Sequence, residues 1–585
     1  DSASGSDVNT GKMLACGTAG VSIDQIKTFS DHPIDFSIGN KFFRDTDYRG
    51  TGSFPIVFTR TYNSLNLGWR FAYTQRIESL EPGKIAVRRP DGQSYEYSLN
   101  GLVWTSDPDV VERLEWLPEA NGGAGGWRYT LANNTRELFD ANGRLLAIRN
   151  SAGLEQTISY SADGKEMTIA GPEGDTLAVE LNDSGLLPTR ITDKTGRTTA
   201  YDFEGLYLWQ VSYPSGTNKQ YLYEVPDRPW LITGIIDENG HRSHSVAYDD
   251  QGRAIMSELA GGTEQVEVSY NDDGTTTLTN ALGKRTTFHF QTLHGVKKIV
   301  HVEGEPTATC QGTAMDYDFD DNGFLIEKTD AEGVTTRFTR DAHGLELSRI
   351  EAAGLPEERS VTTQWDSALR KPLVVTEGST ETRNSYDSEG RTLSRTVTDL
   401  ASGSSRTTRY TYNSQGLLET VDGPRVDVSD ITTYSYDNDG RLSRVSNALG
   451  HTTEIVSRDG YGRPVVTRDA NGLETTLSYD GNGRLSARQV GNETTTMAYD
   501  AVGNLTDITA PGGIALHYDY DNANRLIGLS DTVGNRIVYT LDAMGNRTSE
   551  QIFDADGQLA RSRQKIYDEL SRLLRLSLIH ISEPT

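Results

Sequence analysis

The sequence predicts an all-β repeat protein, a long antiparallel ribbon built from two-strand units. Three observations predict it. A Tyr-Asp-x-x-Gly-Arg signature recurs about every 21 residues. Thr, Tyr, Val and Leu alternate at strand period on either side of the signature. Helix-period patterns are scarce along the chain, which argues against helical solenoids.

The clearest register spans 437–542. Aspartates fall at Asp437, Asp459, Asp480, Asp500, Asp521 and Asp542, at spacings of 22, 21, 20, 21 and 21 residues. Tyr436, Tyr479, Tyr499 and Tyr520 each precede one of them. Three residues after the aspartates stand Gly440, Gly462, Gly483, Gly503 and Gly545, with Asn524 in the remaining place. Arg441, Arg463, Arg484 and Arg525 follow, while Asn504 and Asn546 depart from the pattern. Looser copies occur at Phe139-Asp140, Tyr248-Asp249, Phe319-Asp320, Tyr386-Asp387 and Tyr412-Asn413.

Each position has a mechanical reason. An Asp or Asn carboxyl or amide oxygen accepts backbone N–H groups and opens a tight turn. Glycine three residues later suits a closing position with positive φ. Around Asp480, Leu477 and Tyr479 share one face, and Thr476 and Ser478 take the other. A second turn signal, Gly491-Asn492, lies half a repeat away. One repeat is therefore two strands of about seven residues, each spanning roughly 23 Å. A ribbon of such pairs twists and must curl or close to protect its edges. The interior of such a shell is expected to be a polar chamber, with the apolar strand face packed elsewhere.

Composition narrows the function classes. Net charge is −27, from 83 acids against 56 bases. Such a surface repels nucleic-acid phosphate and favours a basic guest. No stretch approaches the ~20 apolar residues of a membrane span. Two cysteines, Cys16 and Cys310, exclude a disulfide framework and Cys-x-x-Cys metal sites. No Gly-x-Ser-x-Gly elbow, P-loop or His-Glu-x-x-His motif occurs. The stretch 122–127, GGAGGW, reads as a hairpin tip. His241 and His244, beside Asp237 and Glu238, read as a solvated loop, because strand positions i and i+3 face opposite sides. The repeat aspartates lack the dense spacing of a calcium loop. The repeat tyrosines read as cross-strand packing before sugar contact, and the arginines as partners of nearby acids along the ribbon. No catalytic, cofactor-binding or metal residue is assigned. The residues that carry the architecture are Asp437, Gly440, Arg441, Tyr479, Asp480, Gly483, Arg484, Tyr499, Asp500, Gly503, Tyr520, Asp521, Asp542 and Gly545.

These motifs resemble the YD repeats of the Rhs family, which is shared by bacterial polymorphic toxins, the C component of insecticidal toxin complexes, and teneurins. The resemblance covers about 139–575. A second match lies upstream. Pro33 to Lys41 reads PIDFSIGNK, followed by Asp47-Tyr48, by Phe58-Thr59-Arg60-Thr61-Tyr62-Asn63-Ser64, and by Gly68-Trp69. This is similar to the domain that opens many bacterial Rhs shells and favours the bacterial branch. The resemblance implies a hollow spiral shell, or cocoon, enclosing a C-terminal toxin. The family's aspartate-dependent self-cleavage motif, Asp-Pro-x-Gly-Leu, does not occur here.

The chain then divides into a leader or linker at 1–30, an N-terminal β domain at 31–130, and repeats at 131–575. Residues 576–585, LSLIHISEPT, match the translation of a transposase-type sequencing adapter and are expected to have no structural role. On this reading the cocoon is incomplete and the natural chain continues. The expected function is the structural shell of a secreted bacterial toxin, with the C-terminal toxin cargo as its partner. The alternative is a cell-surface or wall-associated adhesion protein that binds glycans. A polysaccharide-acting enzyme on a β scaffold would need a close carboxylate pair, and nothing in the sequence marks one.

Overall fold

The structure is a computed structural model that describes residues 34–65, 68–118, 125–306 and 312–580. The leader 1–30, Pro33, both cysteines and the glycine-rich tip at 122–124 lie outside the described residues. Among the described residues there are fifty strands and a single short 3-10 segment, Ala260–Gly262. Among the described residues no helix is long and apolar enough to cross a membrane.

Four strands from Ile34–Asp35 to Gly68–Phe71 form a small antiparallel sheet. Four more, Arg76–Glu81 to Val103–Thr105, form a second. From Arg113–Leu117 to Leu573–His580 every strand pairs antiparallel with its sequence neighbours in one uninterrupted ladder. The ladder thus begins within the segment 31–130. No register joins its last strand back to its first among the described residues, so the ribbon is an open spiral.

The turns line two rims of the ribbon, and the rims of successive windings meet. The Asn239 side-chain amide donates to Asp500 Oδ2 at 3.0 Å, and the Ala501 N–H donates to Asn239 Oδ1 at 3.2 Å. Arg197 Nη1 donates to the Gly481 carbonyl at 3.0 Å. The Glu264 N–H donates to the Ala543 carbonyl at 2.7 Å. Asn280 Nδ2 donates to the Glu569 carbonyl at 2.8 Å. Every one of these contacts joins a Tyr-Asp-type turn of the later chain to an alternate turn of the earlier chain.

The contacts fix the size of a winding. The strand ending at Ile236 is the twentieth and the one ending at Tyr499 the forty-third, so about 23 strands make one circuit. At ~4.8 Å per strand, the circumference is about 110 Å and the diameter about 35 Å. Stacked sheets sit ~10 Å apart, so side chains on one face reach about 5 Å inward. A lumen of about 25 Å is left, too wide for the wall to fill by itself.

The first winding is filled by the N-terminal segment. Ile34, Phe36, Ile56, Phe58, Tyr62, Trp69 and Phe71 are buried in one cluster with Ile158, Met167, Ile169, Leu177, Val179, Leu208 and Val211 of the ladder. Each such side chain contributes about 1.5–3 kcal/mol on burial. Arg60 pins this plug. Its fully buried guanidinium pairs with Asp47 and, at 2.7 Å, with Asp45. It also donates to Tyr221 Oη at 2.9 Å and Tyr213 Oη at 3.1 Å, both on the ladder. Burial alone would push the Asp45 carboxyl up, but Lys219 and Arg60 hold it well below the usual range.

Among the described residues the second winding has no such filling. Ile158, Val246 and Val268, each two residues before a turn residue's partner ring, are 4–5% exposed against the plug. Tyr410, Tyr434, Leu477, Met497, Tyr518 and Tyr539 lie on the corresponding face of later strands and are only half-buried. Their neighbours Thr411, Ser435, Ser478, Ala498, Asp519 and Thr540 face outward and are exposed. The expectation of a polar chamber is therefore corrected. The inward face is the aromatic and aliphatic one, because the same face must pack on the plug one winding earlier.

A second correction concerns the C-terminal stretch. Leu576, Ser577, Leu578, Ile579 and His580 continue the last strand and pair with residues of Leu559–Tyr567. An open ladder accepts any extended segment at its end, and Leu576 and Leu578 remain about half exposed. Residues 581–585 lie outside the described residues.

The plug carries a pH-sensitive contact. Lys41 Nζ donates to Ser257 Oγ at 2.9 Å and lies 4.4 Å from the Phe43 ring centre. Burial pushes its ammonium down to about 7. Between pH ~7 and ~10.4 the unfolded chain then holds more protons than the folded one. Stability should rise with pH across that window, and Lys41→Met should flatten the rise. Denaturant midpoints of both proteins at pH 7, 8 and 9 check this. Parallel pH profiles would overturn it.

Candidate functional site: the repeat wall and its inner face

The Asp480 turn shows how the wall is made. The Asp480 N–H donates to the Arg484 carbonyl at 2.8 Å, and the Gly483 N–H donates to the Asp480 carbonyl at 3.0 Å. Asp480 Oδ1 accepts the N–H groups of Asn482 at 2.9 Å and Arg484 at 2.8 Å. Asp480 Oδ2 accepts Arg484 Nε at 2.7 Å. One carboxylate thus satisfies two backbone donors and one guanidinium. Partial burial would raise the Asp480 carboxyl, but these bonds from Arg484 hold it below its ordinary value. Asp437, Asp521 and Asp542 accept the same pair of backbone N–H groups, and Asp500 accepts those of Gly503 and Asn504.

The arginine links one repeat to the next. Arg484 Nη1 donates to the Asp500 carbonyl at 3.0 Å, and its guanidinium lies 4.6 Å from the centre of the Tyr499 ring. Tyr499 Oη donates back to the Leu485 carbonyl at 2.9 Å. Arg463 and Tyr479 repeat the arrangement at 4.2 Å, with Tyr479 Oη donating to the Pro464 carbonyl at 2.8 Å. Arg525 reaches the Asp542 carbonyl, and Tyr520 reaches the Leu505 carbonyl. Each tyrosine therefore has its hydroxyl engaged, and Tyr479 and Tyr499 have a ring face covered by arginine. The glycines are needed for their backbone conformation, and Gly483 for space as well. Gly440, Gly483 and Gly545 have φ near +80°, and Gly503 has +119°. At Gly483 an added Cβ would also lie 2.7 Å from Arg463 Nη1.

Arg441 departs from its neighbours. It is buried and reaches across the seam between windings to Asp175 Oδ1 at 2.7 Å and the Glu173 carbonyl at 2.9 Å. The local signature is the same as at Arg484, and only position in the spiral separates the two.

Some features escaped the sequence reading. The alternate turns use the same device: Asn150, Asp193, Asp237, Asn280, Asp330, Asn447, Asp469 and Asp531 each accept turn N–H groups. Asx followed three residues later by Gly, half a repeat out of step, was the available signal. His241 belongs to such a turn, donating its N–H to Asp237 Oδ1 at 2.9 Å. His241 is exposed, so the solvated loop expected there takes the form of this turn. His244 sits on the adjoining strand with its ring edge-on to Phe43.

Two sets of variants test the wall. Gly483→Val should cost about 1–3 kcal/mol through backbone strain. Tyr479→Phe should cost about 0.5–1.5 kcal/mol, for its lost hydrogen bond. Thermal melts that show equal or reversed losses would refute the turn assignment. Arg441→Ala leaves Asp175 buried with only Lys194 beside it, 2.6 Å away. It should cost about 3 kcal/mol, against under ~1 kcal/mol for the exposed Arg425→Ala. Urea unfolding of the two variants checks that order.

Comparison with known proteins places the chain. A family model described as Teneurin YD-shell matches residues 375–575, one described as RHS Repeat matches 319–356, and a domain of unknown function (DUF6531) matches 31–97. The double-stranded DNA deaminase toxin A of Burkholderia cenocepacia (strain H111) is 25% identical over 72% of this chain and 34% of its own length. The probable deoxyribonuclease RhsB of Dickeya dadantii (strain 3937) is 25% identical over 92% of this chain and 38% of its own. The chain thus spans little more than a third of these relatives. The crystal structure of TcdB2-TccC3-TEV aligns over 90% of this chain and 30% of its own, at 13% identity and a TM-score of 0.43. With its tandem Tyr-Asp turns, its single wound ladder and the family-model matches over 319–356 and 375–575, the chain carries the YD repeats of the Rhs and teneurin YD-shell families in a structural, shell-type wall.

Proposed function

We propose that this chain is the wall of a secreted bacterial toxin container, enclosing a toxic C-terminal cargo. The observation that carries the reading is the unfilled second winding. Its inward row of Tyr410, Tyr434, Leu477, Met497, Tyr518 and Tyr539 has no covering layer among the described residues. A lumen of about 25 Å lined in this way offers apolar contact to an enclosed chain. The wall acts by exclusion and carries no active site of its own. The two bacterial relatives are named for actions on DNA, and a DNA-acting cargo is the class we favour here. Such a cargo is basic, and the −27 charge of the shell would retain it in a salt-dependent way.

Adhesion through glycans has less support, because Tyr479 and Tyr499 are engaged within the wall. The test is to recover the coding region that follows residue 575 and express it in bacteria with and without the shell. Growth arrest by the free region, relieved by the shell, is expected. A harmless downstream region, together with saturable glycan binding by the shell, would overturn the proposal.

A further inference from the structure

One side-chain cluster on the outer wall has no part in the turns, the plug or the seam. His289, on the strand Arg285–Leu293, stands directly opposite His301, on the strand Val296–Gly304. The two rings meet edge-on with their centres 5.2 Å apart. Glu303 lies two residues beyond His301 and so on the same face. Its Oε1 is 3.3 Å from His301 Nε2 and 3.8 Å from His289 Nε2. The neighbours Phe288 and Val302 point into the core, which places the cluster on the outside.

The next strand adds a fourth group. Asp316 is the ladder partner of His301, and its Oδ1 lies 2.6 Å from His301 Nδ1. With Nδ1–H donated to that carboxylate, His301 turns the lone pair of Nε2 toward Glu303. A lone pair then faces an anionic oxygen at 3.3 Å. His289 Nε2 approaches the same oxygen, is shielded from solvent and makes no hydrogen bond. A single dication set between His289 Nε2, His301 Nε2 and the Glu303 carboxylate would be shared by all three.

The spacing suits such an ion. Ligand atoms held ~2.0–2.2 Å from a tetrahedral centre lie about 3.3–3.6 Å from one another. The three candidate atoms here all lie within 4.8 Å of one another. Two imidazoles and one carboxylate are the donor set of zinc and its neighbours, and not of calcium or magnesium. Asp316 then stands as the carboxylate that orients a liganding histidine.

We propose that His289, His301 and Glu303 bind a divalent transition ion of the zinc class on the outer face of the shell, with Asp316 positioning His301 and a water completing the coordination. The ion would tie two adjacent strands of the first winding together, with Asp316 joining the third through His301.

The experiment uses the full chain with Cys16→Ser and Cys310→Ser, so that thiols do not compete. Zinc is titrated against a chromophoric chelator, and cobalt is added separately to report coordination geometry by its visible absorption. One equivalent of zinc should bind with micromolar or tighter affinity. His289→Ala and His301→Ala should each weaken it more than tenfold, Asp316→Asn about tenfold or more, and His343→Ala not at all. Zinc should raise the melting temperature of the parent and of His343→Ala, and should leave both ligand variants unchanged. Melts without metal show whether the variants are folded. Absence of saturable zinc binding by the folded parent, or equal affinity in the folded His289→Ala and His301→Ala proteins, would overturn the proposal.

Discussion

Everything in this molecule depends on satisfying the turn N–H groups along the rims of a very long ladder. Each strand is short, so the chain reverses direction dozens of times, and each reversal leaves backbone donors pointing outward. The Asx side chain at the head of the turn accepts two of them. Where that side chain is Asp480 or Asp521, its second oxygen holds an arginine, and the arginine reaches the next repeat. The turn that ends one hairpin thereby places the next. A wall of this kind grows by nearest-neighbour contacts, as repeat proteins do.

That logic explains how half of the shell stands without a conventional core. Buried apolar side chains crowd the first winding, where the plug supplies a partner surface. Among the described residues beyond 320, only Phe338, Val361, Val374, Leu417, Ala523 and Leu570 are buried apolar residues. There the ladder hydrogen bonds and the Arg–Tyr contacts carry more of the stability. Each contact is modest, since partly exposed ion pairs contribute little singly. Their repetition along the rim gives a stiff wall around open space.

The plug and the seam convert a ribbon into a vessel. Arg60 ties the N-terminal sheet to the ladder through Tyr213 and Tyr221, so the first winding closes around a template of fixed width. The second winding then follows the rim of the first, with Arg441, Asn239 and Asn280 bridging the two. Rim-on-rim stacking also hides turn carbonyls that would otherwise face solvent.

The sequence by itself determined the local devices. The Tyr-Asp-x-x-Gly-Arg register located the turns, the alternation of Leu477 and Tyr479 with Thr476 and Ser478 assigned their faces, and Gly483 marked a positive φ. These follow from residues a few positions apart. Tertiary structure decided which face looks inward, since only contact with the plug separates inside from outside. It decided that Arg441 crosses the seam while Arg484 stays on its own rim, although the two motifs match. It decided that His289 meets His301. An unbroken hairpin register from Leu293 and Val296 would have set His289 against Val300, and a bulge at that strand shifts it by one. The histidine pair turns on one bulge in one hairpin, and the other two on contacts far apart in the chain. Local sequence fixes the turn and the pleat, whereas the meeting of residues some 260 positions apart depends on twist summed over about 23 strands, and small bulges change that sum.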